Sequence, residues 1–110
     1  EHYKGELPLW LSPTQVLLIP LKETTFAYAQ DVKNKLESKD IRVEIDLRNE
    51  SLDKKIREAE LNKIPYSLII GDREAAAQTV SVRKKGSGQQ GVLSVDKLIE
   101  DLVNQIQEHR

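Results

Sequence analysis

The sequence predicts an α/β domain built on a five-stranded mixed β-sheet with three flanking helices. Short apolar runs alternate with amphipathic stretches along the 110 residues, the pattern of strands joined by helical crossovers. The link between the third and fourth strands is too short for such a crossover, so the fourth strand returns antiparallel. At this length a chain removes roughly two thirds of its unfolded surface from water, enough for one modest core without covalent staples.

Residues 1–6 are polar, contain Gly5 and read as a linker. Pro8 and Pro13 bracket Leu9-Trp10-Leu11 and prevent a long helix there. Val16 to Ile19 is a buried strand ending at Pro20. Thr24 or Thr25 is placed to cap a helix reaching about Lys39, with Ala29, Val32 and Leu36 on one face. Ile41, Val43, Ile45 and Leu47 alternate with Arg42, Glu44 and Asp46, a period of two that predicts a strand. After the loop Arg48-Asn49-Glu50, Leu52, Ile56, Ala59 and Lys63 recur at helical spacing, the lysine stem covering the rim. Pro65 ends that helix at about Ile64.

Tyr66 to Ile70 is a third strand closed by Gly71-Asp72. Arg73 to Thr79 is ambiguous: its three alanines favour a helical turn, but it is short. Val80 and Val82 give the fourth strand, residues 86–91 a flexible turn, and Val92-Leu93 a brief fifth strand. Ser94 caps a last helix with Val95, Leu98, Ile99, Leu102 and Ile106 on one stripe.

Composition narrows the function. Seventeen Lys and Arg against eighteen Asp and Glu give a net charge of −1, so the chain cannot coat nucleic acid by charge alone and any such contact is local. The absence of cysteine excludes disulfides and thiolate zinc sites. The two histidines, His2 and His109, stand at opposite ends, so no metal site and no Ser/His/Asp or Cys/His catalytic set is expected. No apolar run approaches the ~20 residues of a membrane span, and the first residues lack a signal-peptide pattern. A soluble, reducing, cytoplasmic setting is expected. The chain starts without Met and reads as a processed end or a piece of a longer chain.

Topology singles out one edge. Ligands of open α/β sheets gather beyond the carboxyl ends of the parallel strands, where helix N-termini also lie. Residues 20–23, 47–50 and 71–74 leave that edge, bringing Arg48, Asn49, Glu50, Asp72, Arg73 and Glu74 together, and the fourth strand starts beside them. Other signals are weaker. Gly86, Gly88 and Gly91 spell G-x-G-x-x-G but do not open a helix within a β-α-β unit; a hairpin turn is the better reading. Asn49-Glu50-Ser51 matches a glycosylation sequon that no secretory signal supports. Asp46 and Asp72 end crossover strands as in Mg²⁺-binding signalling domains, but no acidic pair follows the first strand. Lys54, Lys55 and Arg57, with Arg83-Lys84-Lys85, are cations able to flank the edge and meet phosphates.

Several stretches lie in an order and spacing that resemble one family. They are Leu7 to Pro13 with Gln15-Val16, Asp46-Leu47-Arg48-Asn49-Glu50, Lys55-Ile56-Arg57-Glu58, Ile64 to Glu74, and Val80-Ser81-Val82-Arg83. Together they resemble the C-terminal anticodon-binding domain of class II aminoacyl-tRNA synthetases, nearest the threonyl-tRNA synthetase family, over nearly the whole chain from Leu7. The opening Glu1-His2-Tyr3-Lys4-Gly5 is similar to the end of that family's catalytic core.

The resemblance implies a linker at 1–6 and an anticodon-binding domain at 7–110. It also implies a parent threonine–tRNA ligase, a homodimer through its catalytic core, that uses ATP and zinc in a part this chain lacks. The fragment itself would be monomeric and carry no catalytic or metal site. The resemblance assigns anticodon base contacts to Asn49, Glu74 and Arg83, and leaves Arg48, Lys54, Lys55, Arg73, Lys84 and Lys85 as further RNA-contact candidates. Two segments depart from the family pattern, Ser51 to Lys54 and the glycine turn after Arg83.

Threonine anticodons end in G-U. Guanine presents donors that a carboxylate accepts and acceptors that a guanidinium serves, so Glu74 and Arg83 are expected to bracket it; the Asn49 amide can pair with uracil. Lys54 is expected to meet phosphate. Three other readings remain: the same domain from a histidine, proline or glycine synthetase, a free-standing RNA-binding accessory protein, and a flavodoxin-like signalling domain.

Overall fold

The structure, a computed structural model, describes residues 9, 12–85 and 88–108. The expected linker at 1–6, Trp10 and both histidines lie outside the described residues. The strands are β1 (Val16–Pro20), β2 (Val43–Ile45), β3 (Tyr66–Ile70), β4 (Thr79–Lys84) and β5 (Gly88–Ser94). They form one sheet in the order β2-β1-β3-β4-β5. β1 runs parallel to both β2 and β3, whereas β4 is antiparallel to β3 and to β5. The mixed sheet is therefore as expected. The helices are α1 (Phe26–Glu37), α2 (Leu52–Leu61), the short α3 (Asp72–Ala77) and α4 (Val95–Gln107), one more than expected. The ambiguous segment after β3 is α3.

The two faces of the sheet are covered unequally. On one face, Val16, Leu18, Val43, Leu68, Ile70, Val80 and Val82 pack under α1 (Ala29, Val32, Leu36) and α4 (Val95, Leu98, Leu102). On the other, Leu17 and Ile19 of β1 pack with Ala59 and Ile64, and with half-buried Leu52 and Ile56. That second cluster is small because α2 alone supplies its helical cover and sits over β1. Residues paired across the ladder share a face. Ser67 with Arg83, Ile69 with Ser81, and Ser81 with Val92 thus line the α2 side of β3, β4 and β5; α2 reaches the end of this half-sheet at buried Ser67 and at Arg83, whereas Ile69 and Ser81 are half-buried and Val92 is exposed.

The expected details change in five places. Thr25 stands at the N-cap of α1 as expected but makes no side-chain capping bond: it ends a 3-10 turn, Glu23–Thr25, and its hydroxyl donates to the Lys22 carbonyl at 2.7 Å. β2 is three residues long, and Leu47 at the end of the alternating run is 55% exposed. α2 stops at Leu61, and Lys63 adopts a left-handed φ of 59°. The lysine with a buried stem is Lys55, 6% exposed, whose ammonium donates to the Asp46 carbonyl at 3.3 Å. Last, the glycine-rich segment is mostly strand. β5 begins at Gly88, and the register shift between Val82, opposite Gly91, and Arg83, opposite Gln89, makes a bulge at Gln90. Gly91, at φ 103°, supplies the conformation the bulge needs. Ser94 caps α4 as expected, accepting from the Lys97 N–H at 3.2 Å.

Candidate nucleic-acid interface

The three expected base-contact residues do not share one rim. Asn49 leaves β2 and Glu74 opens α3, both at the carboxyl edge of the parallel strands. β4 starts at that edge with Thr79, but Arg83 pairs with Ser67 near the other end of β3. At 3.3 Å per residue, Arg83 lies about 13 Å below the edge. Across the sheet, β4 is three strands from β2, about 14 Å at the usual strand spacing. Asn49 and Arg83 therefore stand at well-separated places on the surface. The surface is an L: the edge, then the open face of β3–β5.

Arg83 is half-buried on that face, beside Ser67 and the α2 residues Ile56 and Glu60. Arg42 is held by the Ser12 carbonyl and Arg48 by carboxylates. Among the described residues, Arg57, Arg73 and Arg83 have no side-chain hydrogen bond or ion pair, and only Arg83 of these is partly buried. A guanidinium that is partly out of water and has no carboxylate partner offers its donors to a ligand. Half-buried Ile69 and Val92, 56% exposed, give the same face an apolar floor. No aromatic side chain stands with them among the described residues, so this floor differs from the aromatic stacking platforms that bind single strands without preference.

Glu74 is engaged locally. Its Oε1 accepts from the Gly71 N–H at 2.7 Å, which satisfies one orphan donor at the start of α3. Its charge is felt at Tyr28, whose phenol is pushed up first by burial and then by Glu74; the Tyr28 hydroxyl donates to the Thr79 carbonyl at 2.8 Å. Asp72 holds the same corner, accepting from Lys22 Nζ at 3.0 Å and Thr24 Oγ1 at 3.1 Å. These contacts, the Lys22 hydrogen bond foremost, hold its carboxyl below the usual range.

The β2–α2 loop is the most tied-down part of the edge. The Asp46 N–H donates to the Leu18 carbonyl at 2.9 Å, continuing the sheet. The Asp46 carboxylate accepts from Arg48 Nε at 3.0 Å, Arg48 Nη2 at 2.8 Å and the Arg48 backbone N–H at 3.1 Å. The same guanidinium reaches Glu58 on α2: Nη1 donates to Oε2 at 3.2 Å, and Nη2 lies 2.9 Å from Oε1, close enough for an ion pair but not aligned as a hydrogen bond. Glu50 pairs with Lys54 at 3.0 Å, and Ser51 Oγ caps α2 by accepting from the Lys54 N–H. Asn49, between these pairs, is exposed and has no side-chain partner among the described residues.

Arg48, Lys54 and Lys55 are thus all engaged within the domain. Arg73 and Lys84 are exposed without a side-chain partner, and Lys85 lies with Arg83 beside α2. Sequence reading missed Ile69, Ser81 and Val92. The signal that could find them is β4 itself, where Thr79, Ser81 and Arg83 alternate with Val80 and Val82.

Hydrogen bonds from the Arg48 side chain come first among the causes that hold the Asp46 carboxyl below the ordinary carboxylate range; burial opposes them, and the charges of Arg48 and Lys55 assist. A depressed folded-state pKa stabilises the fold above the unfolded value, and that stability is lost as pH falls through the folded value. Asp46→Asn should therefore lower stability at neutral pH and flatten the loss between about pH 5 and pH 2, measured by urea unfolding at each pH.

Two other features are less suited to RNA. A groove of about 530 Å³ between the end of α1 and α4 is lined by Lys35, Lys39, Asp96, Ile99, Glu100 and Val103, where acids offset the lysines. Asp46 and Asp72 serve Arg48 and Lys22, and the described residues contain no group of three acids, histidines or cysteines placed to hold a metal. No helix of the described residues is long and apolar enough to cross a membrane.

Comparison with known proteins gives the family of the chain. Residues 15–105 match the family model of the anticodon binding domain. The chain is 52% identical over 102 residues to a threonine–tRNA ligase of Sulfurihydrogenibium sp., covering 93% of this chain and 16% of that protein. It is 49% identical over 108 residues to the threonine–tRNA ligase of Acetivibrio thermocellus, covering 98% of this chain and 16% of that one. It thus spans about one sixth of the length of these curated relatives. The crystal structure of the RNA binding domain of threonyl-tRNA synthetase from Cryptosporidium parvum superposes with a TM-score of 0.87 at 34% identity, over 94% of this chain and 26% of that chain.

Proposed function

The chain belongs to the anticodon binding domain family, and from that premise we propose that it is the module with which a threonine–tRNA ligase recognises the anticodon of its tRNA. The observation that carries this is the partly open half-sheet beside the loop edge, where half-buried Ile69 and Ser81 and exposed Val92 lie with a half-buried Arg83 whose side chain has no partner among the described residues. Unpaired loop bases can be splayed out and read on their hydrogen-bonding edges. The guanine lies across β3–β5, where Arg83 donates to its O6 and N7. Glu74 accepts from the guanine donors with Oε2 while Oε1 keeps the Gly71 N–H. Asn49, two strands beyond β3, meets the neighbouring uracil through its amide. Arg73 and Lys84 accompany the phosphates. With a net charge of −1, long-range attraction is small, and the isolated chain binds weakly but selectively.

The reaction belongs to the remainder of the parent enzyme. ATP and zinc are assigned to that part, as the likeness to threonine–tRNA ligases suggests. The parent works in the cytoplasm as a homodimer, and the fragment contributes recognition as a monomer.

Competition among RNA hairpins tests this reading. A hairpin with a G-G-U anticodon should outcompete hairpins with histidine, proline or glycine anticodons by at least tenfold, since each well-made base contact contributes about 1–3 kcal/mol of discrimination. Equal competition by all four would reject it. Tightest binding to another anticodon would assign the domain to a sister synthetase.

A further inference from the structure

We propose that Arg48 is a positioning residue: its fork across Asp46 and Glu58 presets the β2–α2 loop so that the Asn49 amide meets its base already in place. This rests on the anticodon reading and adds to it a division of labour within the loop. Arg48 looks like a phosphate ligand by residue type and place. Its donors, however, are committed to two carboxylates on opposite sides of the loop, Asp46 at the end of β2 and Glu58 in the middle of α2. Asp46 is itself fixed at three points: its N–H on Leu18, its carbonyl on Lys55, and its carboxylate on Arg48. Downstream, the Glu50–Lys54 pair and the Ser51 cap hold the other end of the loop.

Asn49 is left between two anchored neighbours, exposed and without a side-chain partner among the described residues. Ordering a mobile loop on binding costs affinity, and a loop ordered beforehand avoids that cost. The Glu58 pair is exposed enough to contribute little to stability by itself, whereas the Asp46 carboxylate is largely buried. Their value is geometric, because one planar guanidinium joins two secondary-structure elements.

Removing a negative charge gives the two roles of Arg48 opposite signs. Glu58→Gln frees part of the guanidinium and deletes an acid beside a polyanion. If Arg48 were a phosphate ligand, the G-G-U hairpin should then bind as well or better. If Arg48 positions Asn49, binding should weaken about 3- to 10-fold, a size set by the cost of ordering one such side chain. Arg48→Gln should weaken binding about 5- to 10-fold while leaving the slope of log affinity against log salt unchanged; loss of a phosphate contact would shallow it by about 0.7. Both effects should vanish in an Asn49→Ala background. Thermal unfolding of each variant separates loop effects from loss of fold.

Unchanged or tighter binding by Glu58→Gln, with Asn49→Ala impaired, overturns the positioning role alone. A shallower salt slope in Arg48→Gln overturns it as well. An inert Asn49→Ala removes the base contact from the anticodon reading, and the task of Arg48 with it.

Discussion

Replacing Arg83 by alanine will cut affinity for a G-G-U hairpin by about 10- to 100-fold and abolish the preference for G over A at the middle anticodon position. The effect is large because the guanidinium is half-buried and has no partner among the described residues, so most of its hydrogen-bonding capacity is available to RNA. The fold should scarcely notice the change. No internal hydrogen bond or ion pair of a described residue is lost, and the open face gives the shortened side chain no core to leave empty, so unfolding free energy should move by less than about 1 kcal/mol. Isothermal titration with G-G-U and G-A-U hairpins, alongside urea unfolding, separates the two quantities. If the variant discriminates G from A as the unmodified chain does, guanine is read elsewhere. The loss at Arg83 need not add to the loss at Glu74, since both are assigned to one base.

The largest effect on stability is expected at Leu68. It is fully buried in the middle of β3, paired with Leu18 of β1 on one side and Val82 of β4 on the other. The sheet and the two-helix layer of α1 and α4 meet around it. Leu68→Ala removes this filling from both strand junctions, and neighbouring strands cannot close the gap without breaking ladder bonds. A cost of about 3 kcal/mol is expected, a substantial part of the 5–15 kcal/mol typical of a domain. The melting temperature should fall by about 10 °C or more. Calorimetry checks this; a shift of only a degree or two would mean that the principal core lies elsewhere. Because Leu68 points into the α1–α4 core, away from half-buried Ile69 on the other face, the variant should lose RNA binding only as it unfolds.

How much of this was legible in the sequence depended on whether the deciding contact was local. β1 and β3 are buried runs between prolines and glycine, and the structure keeps both, β1 with Pro20 included. α4 followed from its apolar stripe and the Ser94 cap. β2 is shorter than its alternating pattern because it is an edge strand: Ile41 and Val43 are buried, while the end of the run at Leu47 is exposed. Glycines and glutamines made the start of β5 resemble a loop, yet pairing to β4 and a bulge absorb them. Lys63 matched the helical spacing, but the left-handed turn there ends the helix. Lys55 could be buried only because the Asp46 carbonyl, nine residues earlier, receives its ammonium.

The same distinction applies to the site. Strand order alone placed Asn49 and Glu74 at the carboxyl edge. The level of Arg83 is set by the β3–β4 register, in which Ser67 faces Arg83, and nothing local in the sequence specifies it. The engagement of Arg48 with Asp46 and Glu58 likewise appears only when α2 is laid beside β2.

Chemical-shift mapping tests the central claim most directly. The chain, labelled with nitrogen-15, is titrated with a G-G-U hairpin while backbone amide signals are followed. The account predicts that perturbations gather on an L-shaped surface: Asn49 and Gly71 to Glu74 at the edge, then Ile69, Ser81, Arg83 and Val92 on the open half-sheet. Perturbations confined to Lys35, Lys39, Ile99 and Val103 in the α1–α4 groove, with the half-sheet silent, would contradict it.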